Sequence, residues 1–214
     1  MEQGPVIDLS FELRGTSIPA DHGYALYAAL SRHLPWLHGN ETAGIHPIHG
    51  QLIGGRQLAL TRASRLVLRL PAGRLPEAIP LAGRGLDVDG ATLTVGVPTV
   101  YPLHPVSSLV SRLVVIRGFT EAEPFLAALG RQLAERGVEG SAALVAHIRQ
   151  GPLEGHTGGR YPFVRRTLRI RDREVVGFAV RVSDLGPEDS LDLQAVGLGG
   201  RRRFGCGVFV RVEG

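Results

Sequence analysis

The sequence predicts an α+β fold in which the order β-α-β-β-α-β occurs twice. Three observations support this prediction. The 214 residues suffice for two units of about 100 residues each. Both halves begin with a predicted strand, at 6–14, where apolar and polar residues alternate, and at 109–116. Each half then continues with a helical pattern, at 21–34 and 121–136, so we expect tandem ferredoxin-like domains.

The elements follow in the same order in both predicted domains. The boundary is expected at the prolines between 102 and 105, which separates a domain at 1–103 from a domain at 104–214. In the first domain, the patterns predict a strand at 6–14, a helix at 21–34 with Asp21 as N-cap, and a hairpin of strands at 56–61 and 65–70. They further predict a short helical or turn segment at 75–81 and a strand region at 86–100 with a tight turn at Asp89-Gly90. In the second domain, they predict a strand at 109–116, a helix at 121–136, a strand at 142–148, a glycine-rich insertion at 151–159, a hairpin of strands at 167–170 and 174–182 turning at Asp172-Arg173, a helix at 187–195 and a strand at 208–212.

The composition excludes several classes of protein. With 43% hydrophobic and 21% charged residues, the chain has enough apolar surface to form a core, which excludes disorder throughout. No apolar run reaches the roughly 18 residues of a membrane-spanning helix, and the N-terminus lacks a basic stretch followed by an apolar one. We therefore expect a cytoplasmic protein without a membrane partner. The single cysteine, Cys206, excludes an internal disulfide and a cysteine-based zinc cluster.

The positive charges are concentrated in the second half of the chain. All 24 basic residues are arginine; residues 1–107 contain 8 of them with 8 acidic residues, whereas residues 108–214 contain 16 with 12 acidic residues. The excess lies mainly in the hairpin at 165–173 and in the run at 201–203. Arginine suits bidentate phosphate contacts, so this asymmetry predicts a polyanion partner. A GC-rich genome would also favour arginine, and a solvated hairpin face would also carry surplus charge.

A glycine-rich segment lies between the last predicted helix and the last predicted strand. It has the sequence GLGGRRRFGCGVF at 197–209 and contains five glycines. Glycines permit positive φ angles and let backbone N–H groups approach phosphates, while the arginines neutralise charge. The segment lacks the Gly-Lys-Ser/Thr ending of a nucleotide-binding P-loop, and it does not open a helix as a dinucleotide-binding turn does.

This segment, in a chain of this length with two predicted ferredoxin-like halves, resembles that of the CRISPR-associated endoribonucleases. These enzymes belong to the RAMP superfamily and cut precursor CRISPR RNA within its repeats. The stretch IPADHGYALYAALSRHLP at 18–35 and the stretch GIHPIHG at 44–50 are similar to the first helix and the following histidine loop of this family, and most similar to its myxan-type branch. The resemblance implies a RAMP architecture and CRISPR repeat RNA, both precursor and mature guide, as the partner. It also allows other subunits of a CRISPR effector complex as partners.

The resemblance further implies a metal-independent reaction. The ribose 2′-OH attacks the adjacent phosphate and leaves a 2′,3′-cyclic phosphate and a 5′-OH, which requires a base, an acid and a cation. His46 lies at the position of the family's catalytic histidine, so we expect it to act as general acid or base. The positions of the family's tyrosine and lysine hold Ser31 and His49 in this chain, and these two complete the candidate catalytic set.

The two arginine-rich segments are the expected RNA-binding surfaces. The candidate RNA-binding residues are Arg165, Arg166, Arg169, Arg171, Arg173, Gly199, Gly200, Arg201, Arg202, Arg203 and Gly205. The aromatic residues Tyr161, Phe163 and Phe204 lie among these arginines and are candidates for base stacking, although Phe204 could equally be a core residue. His22, at the helix start, is expected to be structural.

Other interpretations stay open from the sequence. A zinc site at His46 and His49 would need further ligands, and Glu41 is the only nearby carboxylate, so we expect neither a metal nor another cofactor. Because Ser31 and His49 depart from the family pattern, a non-cleaving RAMP subunit that binds the repeat-derived RNA handle is the alternative function. A ferredoxin-like regulator that binds a small molecule is a third class, which the arginine-rich loop disfavours.

Overall fold

The structure is a computed structural model that describes residues 4–40, 42–147 and 162–212. The chain divides into two compact units. The first comprises Met1–His104, Leu168–Arg173 and Arg201–Gly205, and the second comprises Pro105–Thr167, Glu174–Gly200 and Cys206–Gly214. The tip of the arginine hairpin and the arginine run, which the sequence assigns to the second domain, therefore belong to the first unit.

The first unit is built on an antiparallel sheet with a four-strand ferredoxin-like order. Its elements are β1 (Val6–Arg14), β2 (Ser17–Pro19), α1 (Gly23–Ser31), β3 (Gly44–Ile45), β4 (Gln51–Ile53), β5 (Gln57–Ala59), β6 (Arg65–Pro71), α2 (Leu75–Ala78), β7 (Gly85–Val88) and β8 (Ala91–Pro102). The main sheet has the order β3-β6-β1-β8-β7, in which β7 is added as a hairpin partner of β8. A smaller sheet has the order β2-β5-β4.

Alternation along β1 and β6 places one apolar face of the main sheet in the core. The buried pairs across the two strands are Ile7 with Leu70, Leu9 with Leu68, and Phe11 with Leu66. Because successive side chains of a strand point to opposite faces, these residues share one face and pack directly across the ladder. The strand predicted at 6–14 is therefore confirmed.

The predicted hairpin between residues 56–61 and 65–70 is wrong. β5 pairs with β2 and β4, whereas β6 pairs with β1 and β3. Ser64 holds the turn between them, since its Oγ accepts the N–H of Thr61 at 2.9 Å and donates to the carbonyl of His49 at 2.6 Å. Alternating leucines indicate which face of a strand is buried but not which strand lies beside it, so this pairing could not be derived from the pattern.

The first helix is shorter than the predicted span of 21–34, and Asp21 is not its N-cap. His22 occupies the N-cap position without a side-chain cap, and Asp21 Oδ2 instead accepts the backbone N–H of Arg169 at 2.9 Å. A partner far along the chain thus replaces the local cap that the sequence predicts. The helix ends at Ser31, and a 3₁₀ turn at Pro35–Leu37 follows because the residue before a proline disfavours helical backbone.

The second unit repeats the ferredoxin-like order. Its elements are β9 (Leu109–Val114), α3 (Ala122–Glu135), β10 (Ser141–Leu144), β11 (Arg165–Ile170), β12 (Arg173–Ser183), α4 (Pro187–Val196) and β13 (Val210–Arg211). The sheet has the order β10-β12-β9-β13, and β11 pairs with β12. Its core packs the α3 residues Phe125, Leu129 and Leu133 with residues of β12, and the rings of Phe125 and Phe178 meet edge to face at 4.9 Å. The predicted tandem ferredoxin-like fold is confirmed.

The turns test the local predictions most directly. Asp89 and Gly90 have φ angles of 55° and 80°, and the predicted tight turn between β7 and β8 is confirmed. The β11–β12 turn lies at Arg171-Asp172, one residue before the predicted position, and Arg171 has a φ of 54°.

The insertion predicted at 151–159 falls outside the described residues. Across the described ranges, no helix has the length and apolar character needed to cross a membrane.

Candidate functional site

His22 fixes the loop that follows β3 to the start of α1. The side chain is buried, its Nδ1 lies 2.9 Å from the carbonyl of Pro19, and its Nε2 accepts the N–H of Ile48 at 2.9 Å. Because Nε2 accepts, Nδ1 carries the proton and donates to Pro19, so the ring is neutral in this arrangement. His22 therefore has the structural role that its sequence position suggests, and it holds the segment with His46 and His49 in place.

His46 lies in a buried cluster of charged groups beneath that loop. Its Nε2 is 3.3 Å from Asp8 Oδ1, and the His46 side chain is 12% exposed. Asp8 also receives a bidentate contact from Arg69, with Nε to Oδ1 at 2.8 Å and Nη2 to Oδ2 at 2.7 Å. Asp8 and Arg69 are directly opposed on β1 and β6, so the sheet register places them together. An acidic residue among the apolar residues of one strand and a basic residue among those of another are the sequence signal of such a pair.

The electrostatics of this cluster favour a neutral His46 and an ionised Asp8. Burial lowers the pKa of His46 below its ordinary value, and the nearby charges of Arg69 and Arg202 lower it further, against an opposing effect of Asp8. Burial opposes ionisation of Asp8, yet the hydrogen bonds from Arg69 and the contact with His46 hold its pKa well below the usual range. His46 therefore lies largely buried against the Asp8–Arg69 ion pair. Its environment differs from that of a solvent-accessible proton donor.

The other two predicted catalytic residues have different environments. Ser31 is buried at the end of α1, where its Oγ donates to the carbonyl of Ala28 at 3.2 Å. His49 is exposed, and its backbone carbonyl accepts a hydrogen bond from the Ser64 hydroxyl.

Glu41, the carboxylate considered for a metal site, lies outside the described residues. Within the parts of the chain that the structure describes, no group of three or more His, Cys, Asp or Glu residues is placed to hold a metal ion.

Sequence reasoning missed one pair of side chains beside α1, Tyr27 and His38. Tyr27 Oη is 3.1 Å from His38 Nδ1, and the rings meet edge to face with centroids 5.8 Å apart. Tyr27 is 8% exposed, whereas His38 is exposed to solvent. The 3₁₀ turn at Pro35–Leu37 reverses the chain after α1 and carries His38 back to the helix. The proline soon after the helix is the one sequence signal for this reversal.

The arginine run stands beside this pair, and its three arginines have different environments. Arg201 is exposed, Arg202 is buried and Arg203 is partly buried. The Arg203 guanidinium lies over the ring of Tyr27 at 5.4 Å and over the ring of Phe204 at 5.1 Å. The Phe204 ring also packs edge to face on Tyr27 at 5.1 Å, so this predicted base-stacking residue is used in packing. Arg203 thus brings a positive charge to the Tyr27–His38 pair.

The glycines of the loop use their backbone N–H groups inside the protein. The N–H of Gly199 donates to Gln132 Oε1 at 2.8 Å, that of Gly200 to Val115 O at 2.9 Å, and that of Gly205 to Arg202 O at 3.0 Å. These groups are therefore engaged rather than presented to a phosphate. Gly199 and Gly205 also have φ angles of 72° and 85°, which favour glycine, whereas an added Cβ at Gly200 would meet nothing within 4 Å.

The arginine hairpin presents most of its predicted RNA-binding side chains to solvent. Arg166, Arg169, Arg171 and Arg173 are exposed and Arg165 is partly buried. Phe163, a predicted stacking residue, packs against the core of the second unit, and Tyr161 lies outside the described residues. The exposed cations give this hairpin the character of an anion-binding surface.

Two ferredoxin-like units define the fold of this chain, and solved structures share that fold. A structure titled "An RAMP protein binding different RNA substrates" matches with a TM-score of 0.64 at 10% identity, over 97% of this chain and 100% of that one. A structure titled "CRISPR associated protein Cas6" matches with a TM-score of 0.66 at 12% identity, over 97% and 100%. A Cas6-related protein from Pyrococcus furiosus also matches with a TM-score of 0.66, at 13% identity over 97% and 99%.

The sequence itself shows the family. The sequence model of the family described as Cas6 Crispr matches residues 7–214. The CRISPR-associated endonuclease Cas6 of Myxococcus xanthus (strain DK1622) is 35% identical over 204 residues, which are 95% of this chain and 80% of that protein. The chain belongs to the Cas6 family.

Proposed function

We propose that this protein is an endoribonuclease that binds CRISPR repeat RNA in precursor transcripts and cleaves it to produce guide RNAs. Its Cas6 family membership and its similarity to a Cas6 endonuclease support this activity. The observation that carries the proposal is the solvent-exposed His38, hydrogen-bonded to Tyr27 beside the Arg203 guanidinium. We assign the reaction to the cytoplasm, because its proposed substrate is a precursor transcript.

The reaction we propose needs no metal ion. The 2′-oxygen forms a bond to phosphorus as its proton passes to a base, and the bond from phosphorus to the 5′-oxygen breaks as that oxygen receives a proton. The products are a 2′,3′-cyclic phosphate and a 5′-OH. Tyr27 occupies Nδ1 of His38, so Nε2 is the ring nitrogen that exchanges a proton with the RNA. Arg203 stabilises the negative charge that develops on the phosphate.

Geometry favours His38 over His46 for the acid–base role. A proton-transfer group must reach the substrate within hydrogen-bond distance, and the solvent-exposed His38 is accessible for such a contact. His46 is largely buried against Asp8, and reaching RNA would break the Asp8 contact. Ser31 and His49 then act in shaping the site rather than in proton transfer.

Single-turnover cleavage of labelled repeat RNA in EDTA tests this proposal. At saturating protein, we expect His38→Ala to lower the rate about 100-fold or more, because general acid–base catalysis contributes on the order of 10²–10⁴-fold. Tyr27→Phe should cause a smaller loss, and His46→Gln should remain close to wild type. End-group analysis of the product should find the cyclic phosphate.

His33→Ala is the matched control, because His33 is an exposed histidine just after α1. It should cleave as the wild type does. A large rate loss in folded His46→Gln with an active His38→Ala would instead establish His46 as the catalytic residue. Tight binding of intact RNA by the wild type would support the alternative, a non-cleaving RAMP subunit that meets other effector-complex subunits.

A further inference from the structure

The tip of the arginine hairpin is held on the start of α1 by two side chains. Asp21 Oδ2 accepts the backbone N–H of Arg169 at 2.9 Å, and Tyr24 Oη accepts the Nε–H of Arg171 at 3.0 Å. Both partners lie about 148 residues further along the chain. The tip, Leu168–Arg173, belongs to the same compact unit as α1. The tip is therefore attached to α1 at its backbone and at one arginine side chain.

The backbone of Arg171 is in a conformation that favours glycine. Its φ of 54° lies in the left-handed region, and it occupies the first position of the two-residue turn. The carbonyl of Arg171 accepts a hydrogen bond from Arg169 Nε at 3.3 Å. A turn alone would be served better by glycine, so an arginine here indicates that its side chain has a role beyond turn formation.

The contact with Tyr24 selects which edge of the guanidinium is presented. Since Nε donates to Tyr24, the two terminal amino groups are the donors directed away from this contact, and they match the oxygen spacing of a phosphate. The Tyr24 ring also packs edge to face on Phe204 at 5.7 Å. One tyrosine is thereby in contact with the hairpin tip and with the loop that carries Arg203.

We propose that Tyr24 and Asp21 are positioning residues that fix Arg171 for contact with a phosphate of the RNA backbone. This inference rests on the proposed function, since the phosphate belongs to the repeat RNA. An arginine fixed before binding loses less side-chain freedom when the phosphate arrives, so these residues strengthen binding without touching the reacting atoms. Their effect falls on the dissociation constant and not on the rate of the bound complex.

A double-mutant cycle tests this role. Tyr24→Phe keeps the ring on Phe204 and removes only the hydroxyl, and we expect the Kd for repeat RNA to rise on the order of tenfold. The single-turnover rate at saturating protein should be unchanged. In an Arg171→Gln background, Tyr24→Phe should have no further effect, because the group that it positions is absent. Tyr101→Phe, at an exposed tyrosine of β8, is the matched control and should bind as wild type.

Hydrogen exchange of the hairpin amides, measured without RNA, tests the other anchor. Asp21→Ala should accelerate exchange at the Arg169 amide and raise the Kd, whereas Asp21→Asn, which retains an oxygen acceptor, should restore both in part. If wild type binds repeat RNA and Tyr24→Phe binds equally well, or if the cycle is additive, the positioning role is wrong and the proposed function stands. If wild type does not bind repeat RNA, the proposed function itself is wrong.

Discussion

At the scale of the residue, Asp8 is the common partner of a buried arginine and a largely buried histidine. It lies in an apolar strand, yet its carboxylate receives Arg69 in bidentate contact and faces His46 at 3.3 Å. A buried arginine is tolerated only with such a partner, because removing one member of a buried ion pair costs about 3–5 kcal/mol. The His46 side chain is largely buried where it contacts the same carboxylate. The residue that the sequence resemblance selects as general acid or base therefore lies in contact with this ion pair.

The protonation states of this cluster predict a loss of stability in acid. Burial lowers the pKa of His46, so below about pH 6.5 the unfolded chain binds a proton that the folded chain does not, and stability decreases. The pKa of Asp8 is also lowered, so its stabilising effect is present above about pH 4 and is lost as the pH falls further. Thermal unfolding measured between about pH 2 and pH 8 should show Tm decreasing as the pH falls through both windows.

His46→Gln isolates the first of these windows. It removes the titrating ring, so Tm should change less between about pH 7 and pH 5 than in the wild type. His33→Gln, which alters an exposed histidine, should keep the wild-type slope. Parallel Tm profiles for wild type and His46→Gln would show that His46 titrates normally in the folded protein.

At the scale of the element, packing against neighbouring backbone determines where the loop at 197–209 needs glycine. An added Cβ at Gly207 would clash with Leu198 O, and one at Gly199 would lie 2.5 Å from Val115 O. Both have positive φ angles, so glycine is required at these positions for folding. Gly200 differs, because its φ is not positive and the surrounding space is open. An added methyl group at Gly200 would therefore meet only a bound partner, such as the expected RNA.

Alanine substitutions separate these two kinds of glycine. Gly207→Ala should destabilise the fold by about 2 kcal/mol or more, because the backbone conformation is strained and the carbonyl blocks the methyl group. Gly200→Ala should change the free energy of unfolding by less than about 0.5 kcal/mol and should weaken RNA binding several-fold. Chemical denaturation and RNA titration measure the two effects. Wild-type affinity in Gly200→Ala would show that RNA does not approach this backbone.

At the scale of the whole molecule, charge is distributed unevenly along the chain. The excess of arginine over acidic residues lies entirely in residues 108–214, with 16 against 12. In the structure, much of it is at the surface of the hairpin, where Arg166 and Arg173 are exposed. Exposed cations of this kind contribute to polyanion binding by displacing counterions, so their effect depends on salt.

The salt dependence of RNA binding measures how many phosphate contacts these arginines make. Arg166→Ala combined with Arg173→Ala should weaken binding and reduce the slope of log K against log salt by about 1.4–1.8, at 0.7–0.9 per phosphate contact. Arg136→Ala, at the exposed C-cap of α3, should leave both affinity and slope unchanged. An unchanged slope in the double variant would show that this hairpin does not contact phosphates.

The sequence by itself determined the tandem ferredoxin-like fold class, the apolar face of β1 and the location of the cations along the chain. These depend on neighbouring residues: the alternation of Ile7, Leu9 and Phe11 indicates a half-buried strand, and Asp89-Gly90 indicates a tight turn. The family resemblance of the glycine-rich segment likewise follows from contiguous residues. Both kinds of inference succeed because the information is local.

Only the tertiary structure decided which histidine is accessible and what holds the arginines. Asp8 meets Arg69 through strand register, His38 returns to Tyr27 after a turn, and Asp21 holds Arg169 from the far end of the chain. The hairpin predicted at 56–70 failed for the same reason, since β5 found its partners in β2 and β4. Each outcome depends on contacts between residues distant in sequence, whose energies are decided by packing of the whole fold and not by any local pattern.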